Sequence, residues 1–275
     1  MKQIALVSYA SCPELTDDDR LLIPAFANRG VSAVPAIWDA DINWRRFDRV
    51  VLRSCWDYHL RLSEFLTWVK RLERLDVRLC NSPQLVRWNA DKNYLKELKA
   101  RGVRIPPTFW IEAHQERDVA TILRKMGWAS AIAKPVVSAS AHGLKQVFVD
   151  RPAAIRGPVM IQPFLSEVPN NGEWSLVFIG GEYSHSILKC AAPGEFRVQW
   201  QYGGTATSAI PPPEVLKAAK KIIGSLEENP DYARVDGIVC DDGFVLMELE
   251  LIEPVLFLRL GNAADRLVDA ILNSA

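Results

Sequence analysis

The segment from Ala233 to Phe257, ARVDGIVCDDGFVLMELELIEPVLF, limits what this chain can fold into more than any other. Two strand-like runs flank a DDG turn, and the second, Phe244–Phe257, is apolar yet carries Glu248, Glu250 and Glu253. Glu248 and Glu250 are two apart and share one face of a strand. Left unpaired among Val, Leu, Met and Ile, two carboxylates cost several kcal/mol. If the turn joins antiparallel strands with Cys240 opposite Phe244, Asp236 falls opposite Glu248; other turn types shift the pairing by about one residue. Asp236, Glu248 and Glu250 then make one acidic patch that requires cations. Carboxylate oxygens without nearby His or Cys suit Mg²⁺ or Mn²⁺, and Mg²⁺ usually joins a few carboxylates to substrate phosphates. The competing reading is a solvent-exposed acidic face, which the interleaved Leu249, Leu251 and Ile252 disfavour. Glu253, before Pro254 and on the other parity, is expected to cap the turn or pair with a base.

The remainder of the chain reads as α/β followed by α+β. QIALVSY, VSAVPAIW and FDRVVLRS are strands, with a helix opened by Thr16 and ended near Gly30 and another over about 62–75. This alternation implies a small parallel sheet over about the first 85 residues. Ser82–Pro83 caps a helix running to about Arg101. TFWI, SAIAKPVV, KQVFVD and PVMIQPFL are strands around one helix near 115–126, and Gly180–Gly181 marks a hairpin. Helices near 213–226 and 263–273 complete the chain. The boundaries expected are 1–85, 86–165 and 166–275.

Lys plus Arg equals Asp plus Glu, at 33 each in 275 residues, which removes a global field for nucleic acid or an anionic membrane. No apolar run is long enough to span a bilayer, and MKQIALVSYA reads as a first strand rather than a signal peptide. Five scattered cysteines without CxxC spacing argue for a reducing, cytoplasmic setting. A phosphate-binding function must therefore rest on local groups. Lys134 stands at a strand end before the small-residue loop Ser138–Gly143 (SASAHG), where it reads as a phosphate contact with the loop as a lid. Lys92 lies on the expected helix, either solvated or turned to a ligand. Arg197, in GEFRVQWQYGG, is either an edge arginine or a ligand contact, with Gly203–Gly204 permitting close backbone approach. Arg53, Trp56, Asp57 and Tyr58 follow a parallel strand, where open sheets bind ligands. Arg53 suits a carboxylate and Asp57 an ammonium; alternatively the two form a structural salt bridge while Trp56 and Tyr58 pack between domains. His185 either reaches the substrate or is structural.

In order along the chain, these pieces resemble the ATP-grasp superfamily, most closely its glutathione-synthetase-like branch. The blocks are NSPQLVRWNADK, AIAKP, VMIQPFL, GEFRVQWQYGG and ARVDG…MELELIEP. The resemblance implies an ATP-grasp fold with an N-terminal parallel βαβ domain. It implies that Lys92, Lys134 and Ser138 serve the ATP phosphates, Gln162, Phe164 and Leu165 the adenine, and Glu173 the ribose. Asp236, Glu248 and Glu250 would hold two divalent cations, Mg²⁺ or alternatively Mn²⁺, and Arg197 and Gln199 would approach the transferring phosphoryl group. Glu250 stands where the family commonly has Asn, and SASAHG replaces a more glycine-rich loop.

RSCWDY, GEWSLVFIGGEYSHSILK and MELELIEPVLF are similar to the subgroup of the D-cycloserine-forming cyclo-ligase, which activates the carboxylate of an O-ureido-serine and closes a ring. The implied activity is ATP-dependent, ADP-forming carboxylate–amine ligation through an acylphosphate, on a small amino-acid-like substrate bound near Arg53, Trp56, Asp57, Tyr58, His185, Gly203 and Gly204. No dedicated general base is evident. The alternatives are a nucleotide-binding regulator without turnover, or phosphotransfer to a non-carboxylate acceptor. A homodimer is compatible with the sequence.

Overall fold

The computed structural model describes residues 3–274. Its first sheet consists of β1 (Gln3–Ser8), β2 (Ser32–Ile37), β3 (Arg49–Leu52) and β4 (Arg78–Cys80), all parallel in the order β2-β1-β3-β4. Helices α1 (Leu22–Ala27) and α2 (Leu62–Arg74) cover opposite faces. Thr16 Oγ1 accepts from Asp19 N at 3.1 Å, but a short 3₁₀ turn over Asp19–Leu21 precedes α1. Alternate residues of β1 explain the sandwich: Ile4 and Leu6 face Phe26, whereas Ala5 and Val7 face Phe65 and Trp68.

The expected single helix after Ser82 is two, α3 (Pro83–Asn89) and α4 (Tyr94–Ala100). Ser82 Oγ caps the first, accepting from Leu85 N. Asp91 Oδ1 accepts from Asn93 N at 2.8 Å, a local side-chain turn that competes with helical bonding and opens the break. Next come β5 (Phe109–Ile111), β6 (Glu116–Asp118), α5 (Val119–Met126), β7 (Ser130–Pro135), β8 (Lys145–Phe148), β9 (Ala154–Arg156) and β10 (Val159–Pro163). Four of these strands form a sheet in the order β5-β10-β7-β8, while β6 pairs with β9. Helix α5 closes one face, burying Val119, Ile122 and Leu123 against Ala131, Ala133 and Ile161.

Helix α6 (Glu167–Asn171) leads into β11 (Glu173–Ile179) and β12 (Glu182–Cys190), then β13 (Thr205–Ser208), α7 (Pro213–Ile223), β14 (Tyr232–Cys240), β15 (Gly243–Glu250), α8 (Leu258–Gly261) and α9 (Ala264–Asn273). The third sheet is ordered β13-β12-β11-β14-β15. Helix α7 buries Val215, Ala219 and Ile222 against Leu176 and Leu246. Helix α9 returns to the first sheet, packing Leu267 and Ile271 on Ile4 and Leu6. The C-terminal helix thereby joins the core of the first sheet and with β1–β4 makes the first unit. Among the described residues, no helix is long and apolar enough to cross a membrane.

Two buried asparagines join these layers. Asn89, on α3, donates to Leu249 O at 2.8 Å and accepts from Leu251 N at 2.8 Å; Tyr94 OH bonds both polar groups of Leu249. Side chains thereby occupy backbone groups on the outer edge of β15, which would otherwise be open to another strand. Asn81, in the left-handed region at φ 58°, donates to Tyr232 O and Leu251 O and accepts from Asp231 N. Its loss strands two buried backbone carbonyls and the half-buried Asp231 N–H. Asn81→Ala is expected to destabilise the fold by about 2–4 kcal/mol, read as a lowered thermal midpoint.

Candidate active site

A cavity of about 440 Å³ lies between the second and third sheets and is closed at one end by the first unit. Its wall carries five basic side chains, Lys92, Lys134, Lys189, Arg197 and Arg234, and five acidic ones, Glu173, Asp236, Glu248, Glu250 and Glu253. How these charges are paired decides what the cavity can bind.

Asp236 lies opposite Glu248, as the hairpin reading expects, but by a different route. Cys240 pairs with Gly243 rather than Phe244, and a bulge beside Asp236 restores the register. Asp236 is 3 % exposed and is held on three sides: Arg234 Nη2 at 2.8 Å, Lys189 Nζ at 3.2 Å and Ser175 Oγ at 2.6 Å. Burial raises its carboxyl, and Arg234 and Lys189 overcome that, holding it well below the usual range. Lys189 also pairs with Glu173 at 2.5 Å. Arg234 pairs with Glu250 as well. Burial pushes the Glu250 carboxyl up to about 7 against the pull of that guanidinium.

The acids predicted to await metal are thus already compensated by the chain itself. Among the described residues, no three Asp, Glu, His or Cys side chains converge closely enough to hold a metal ion. Asp236, Glu248 and Glu250, the carboxylates expected to hold cations, do lie on one cavity wall, with Arg234 and Lys189 among them. The donor chemistry still fits Mg²⁺ in its common mode, one or two carboxylates combined with substrate phosphates. Arg234 was legible in principle, since it shares Asp236's strand face by the same parity that joins Glu248 to Glu250. Lys189 was hidden by a bulge between Val177 and Phe178, which moves it opposite Glu173.

Lys92 is not a solvated helix lysine. It sits in the break between α3 and α4, 7 % exposed, with Nζ 2.6 Å from Ser138 O, 3.1 Å from Ser138 Oγ and 3.1 Å from Glu248. Ser138 accordingly anchors Lys92. Lys134, at the end of β7, is different: among the described residues it makes no hydrogen bond and no ion pair, although it lines the same cavity. Burial lowers its ammonium pKa, with Glu248 and Glu173 opposing.

Gln162, Phe164 and Leu165 line the cavity as expected. Gln162 donates to Thr108 Oγ1, leaving its Oε1 buried without a partner, and Gln199 Oε1 is in the same condition. Both residues line the cavity, and each leaves a buried acceptor unpaired. Arg197 pairs with Glu195 at 2.6 Å and lies over the Tyr202 ring at 3.5 Å.

Trp56 and Tyr58 line the cavity, but Arg53 and Asp57 do not. Arg53 is 1 % exposed, bonded to Asp19 at 2.9 Å and to Pro254 O at 2.8 Å; Asp57 accepts from Trp38 Nε1 and Arg61. Their roles are structural, though not as a pair with each other. His185 is likewise structural: Nε2 lies 2.9 Å from Leu256 O and the ring packs against Gly261, where any Cβ would collide with it. Gly204 reaches the cavity and Gly203 does not. The close approach at Gly204 is to the Val198 carbonyl rather than to a ligand. Glu253 corrects the parity reading. Strand β15 ends at Glu250, so alternation no longer applies, and Glu253 faces the cavity.

A parallel sheet leading into two antiparallel sheets that close on such a cavity is the fold of the ATP-grasp ligases. The chain superposes on D-alanine–D-alanine ligase from Bacillus anthracis with TM-score 0.69 at 18% identity, covering 99% of this chain and 96% of that one. It superposes on the crystal structure of D-cycloserine synthetase DcsG with TM-score 0.84 at 26% identity, covering 98% of each. A family model described as the N-terminal domain of D-cycloserine synthetase DcsG matches residues 4–81. Over 277 aligned positions, the sequence is 30% identical to the cycloserine biosynthesis protein DcsG of Streptomyces lavendulae, covering 92% of both chains. The chain belongs to the DcsG family of ATP-grasp ligases.

Lys134 yields a test. Its lowered pKa means that the folded protein carries a disfavoured charge at neutral pH, a burden relieved as pH rises through the ordinary lysine range. Lys134→Met is expected to raise the thermal midpoint measured without nucleotide, with the gap closing in alkaline buffer. The same variant should bind ATP about 10–100-fold more weakly by calorimetry.

Proposed function

We propose that this protein is an ATP-dependent, ADP-forming carboxylate–amine ligase. It acts through an acylphosphate on a small amino-acid-like substrate and closes the new bond within one molecule, as D-cycloserine synthesis requires. The observation that carries this reading is the convergence of Lys92, Lys134, Lys189 and Arg234 on one cavity with Asp236, Glu248 and Glu250. That mixture suits a triphosphate, whose charge must be neutralised and held in line.

Lys134, which has no acidic partner among the described residues, supplies the cation for phosphate. Lys92, fixed by Ser138 and Glu248, supports it. Gln162, Phe164 and Leu165 line the end of the cavity where the adenine would lie. Glu248 and Glu250 would hold Mg²⁺ together with phosphate oxygens; when bound, the ion spreads the charge of the transferring phosphoryl group. A substrate carboxylate oxygen attacks the γ-phosphorus, forming an O–P bond while the bond to ADP breaks. A nitrogen then attacks the carbonyl carbon, and phosphate departs with that oxygen. Loop 138–143 meets the 196–205 loop over the cavity, with Gln201 Nε2 3.5 Å from Ser140 O. Their closure would keep water from the acylphosphate.

The substrate side rests on the first unit. Residues 4–81 match the DcsG N-terminal model. The DcsG-like portion supplies Tyr9, Trp56 and Tyr58 to the cavity. The test is product analysis with ATP, Mg²⁺ and a panel of small amino acids that includes O-ureido-serine. ADP and phosphate in equal amounts, with hydroxamate formed when hydroxylamine is added, is the expected result. AMP and pyrophosphate would reject the acylphosphate route.

A further inference from the structure

We propose that Glu253, which shares the cavity with Tyr9, Trp56 and Tyr58, is the subsite for a positively charged amino group on the substrate. The inference rests on the ligase reading above, to which it adds the group that identifies the substrate's amino-acid end.

Four of the five acids in the cavity have a cationic partner on the chain: Glu173 and Asp236 share Lys189, Asp236 and Glu250 share Arg234, and Glu248 has Lys92. Glu253 is the exception. It is 9 % exposed, lines the cavity, and among the described residues its carboxylate accepts no hydrogen bond and makes no ion pair. Burial, reinforced by Glu250 and Glu248, pushes its carboxyl well above the usual range against the pull of Lys92 and Arg234, which do not touch it. A buried carboxylate in that setting is costly until a cation arrives.

The site around it is built rather than incidental. Trp56 Nε1 donates to the Glu253 carbonyl at 3.3 Å, and Arg53 Nη2 to the adjacent Pro254 carbonyl at 2.8 Å. The first unit therefore fixes the backbone that follows the Glu253 side chain. Tyr9 and Trp56 stand with ring centroids 6.4 Å apart, and burial, then the charge of Glu253, raises the phenol of Tyr58. Aromatic faces beside a carboxylate favour an ammonium through cation–π attraction. They offer a divalent metal few of the oxygens it requires. Of the ten basic and acidic side chains on the cavity wall, Lys134 and Glu253 are the two without an ion pair among the described residues, one suited to phosphate and the other to an incoming amine. An α-amino acid that turns its carboxylate toward the phosphates carries such an ammonium on the adjacent carbon.

The experiment compares the full chain with Glu253→Gln, which keeps the shape and a hydrogen-bonding amide but removes the charge. Calorimetric probes are amino acids paired with their desamino counterparts: serine with 3-hydroxypropionate, alanine with propionate, and O-ureido-serine with 3-(carbamoylaminooxy)propanoate. The parent should prefer at least one amino form, and Glu253→Gln should weaken that form by about tenfold or more. The preference over the desamino form should then fall toward unity, while ATP affinity with Mg²⁺ stays unchanged. Retained preference in the variant overturns the proposal, as does failure of every amino probe to bind, or a loss confined to Mg²⁺-ATP affinity. Turnover separates the two readings. ADP formation without amino preference leaves the ligase and removes the subsite; charge-dependent amine binding without ADP formation does the reverse.

Discussion

The interaction on which the cleft depends is the burial of Asp236 against Arg234 and Lys189. A carboxylate at 3 % exposure survives only with its lone pairs and charge satisfied, and two cations and the Ser175 hydroxyl satisfy them. Those cations reach on to Glu250 and Glu173, so one network spans β11, β12, β14 and β15. Lys92 and Glu248 extend the charged wall to the break between α3 and α4. On the third sheet every one of these charged side chains has an opposite partner, against which a group without one stands out.

Two charges do stand out, and they are contributed differently. Lys134 comes from the second sheet and its small-residue loop. Glu253 comes from the turn after β15, whose backbone is held by Arg53 and Trp56 of the first unit. A chain that assembled only the third sheet would have the paired network without either contact. This accounts for the tight stitching of the first unit to the third through Asn81, Tyr232 and α9. Tyr232 OH bonds carbonyls at both Leu52 and Ile252, joining the end of β3 to the segment that carries Glu253.

Much of this was legible in the residues. Hydrophobic alternation and turn chemistry identify the parallel sheet, the two later hairpins and most helices to within a few residues. Strand parity brings Glu248 and Glu250 together and sets Asp236 opposite Glu248. What escaped has physical causes that act at a distance. A bulge in β11–β12 relocates Lys189, and the Asp91 side chain breaks a helix and buries Lys92. Arg53 looks like a ligand contact because it follows a parallel strand, but Asp19, far away in sequence, claims it. Glu253 lies just past the end of β15, where parity carries no information.

The proposed carboxylate activation is tested most directly by following oxygen. A substrate labelled with ¹⁸O in its carboxylate is turned over with ATP, and the released phosphate is analysed by mass spectrometry. One labelled oxygen in each phosphate is the predicted result, because the oxygen that attacks phosphorus leaves with it. Phosphate free of label, or label found in AMP, would contradict phosphoryl transfer to the carboxylate.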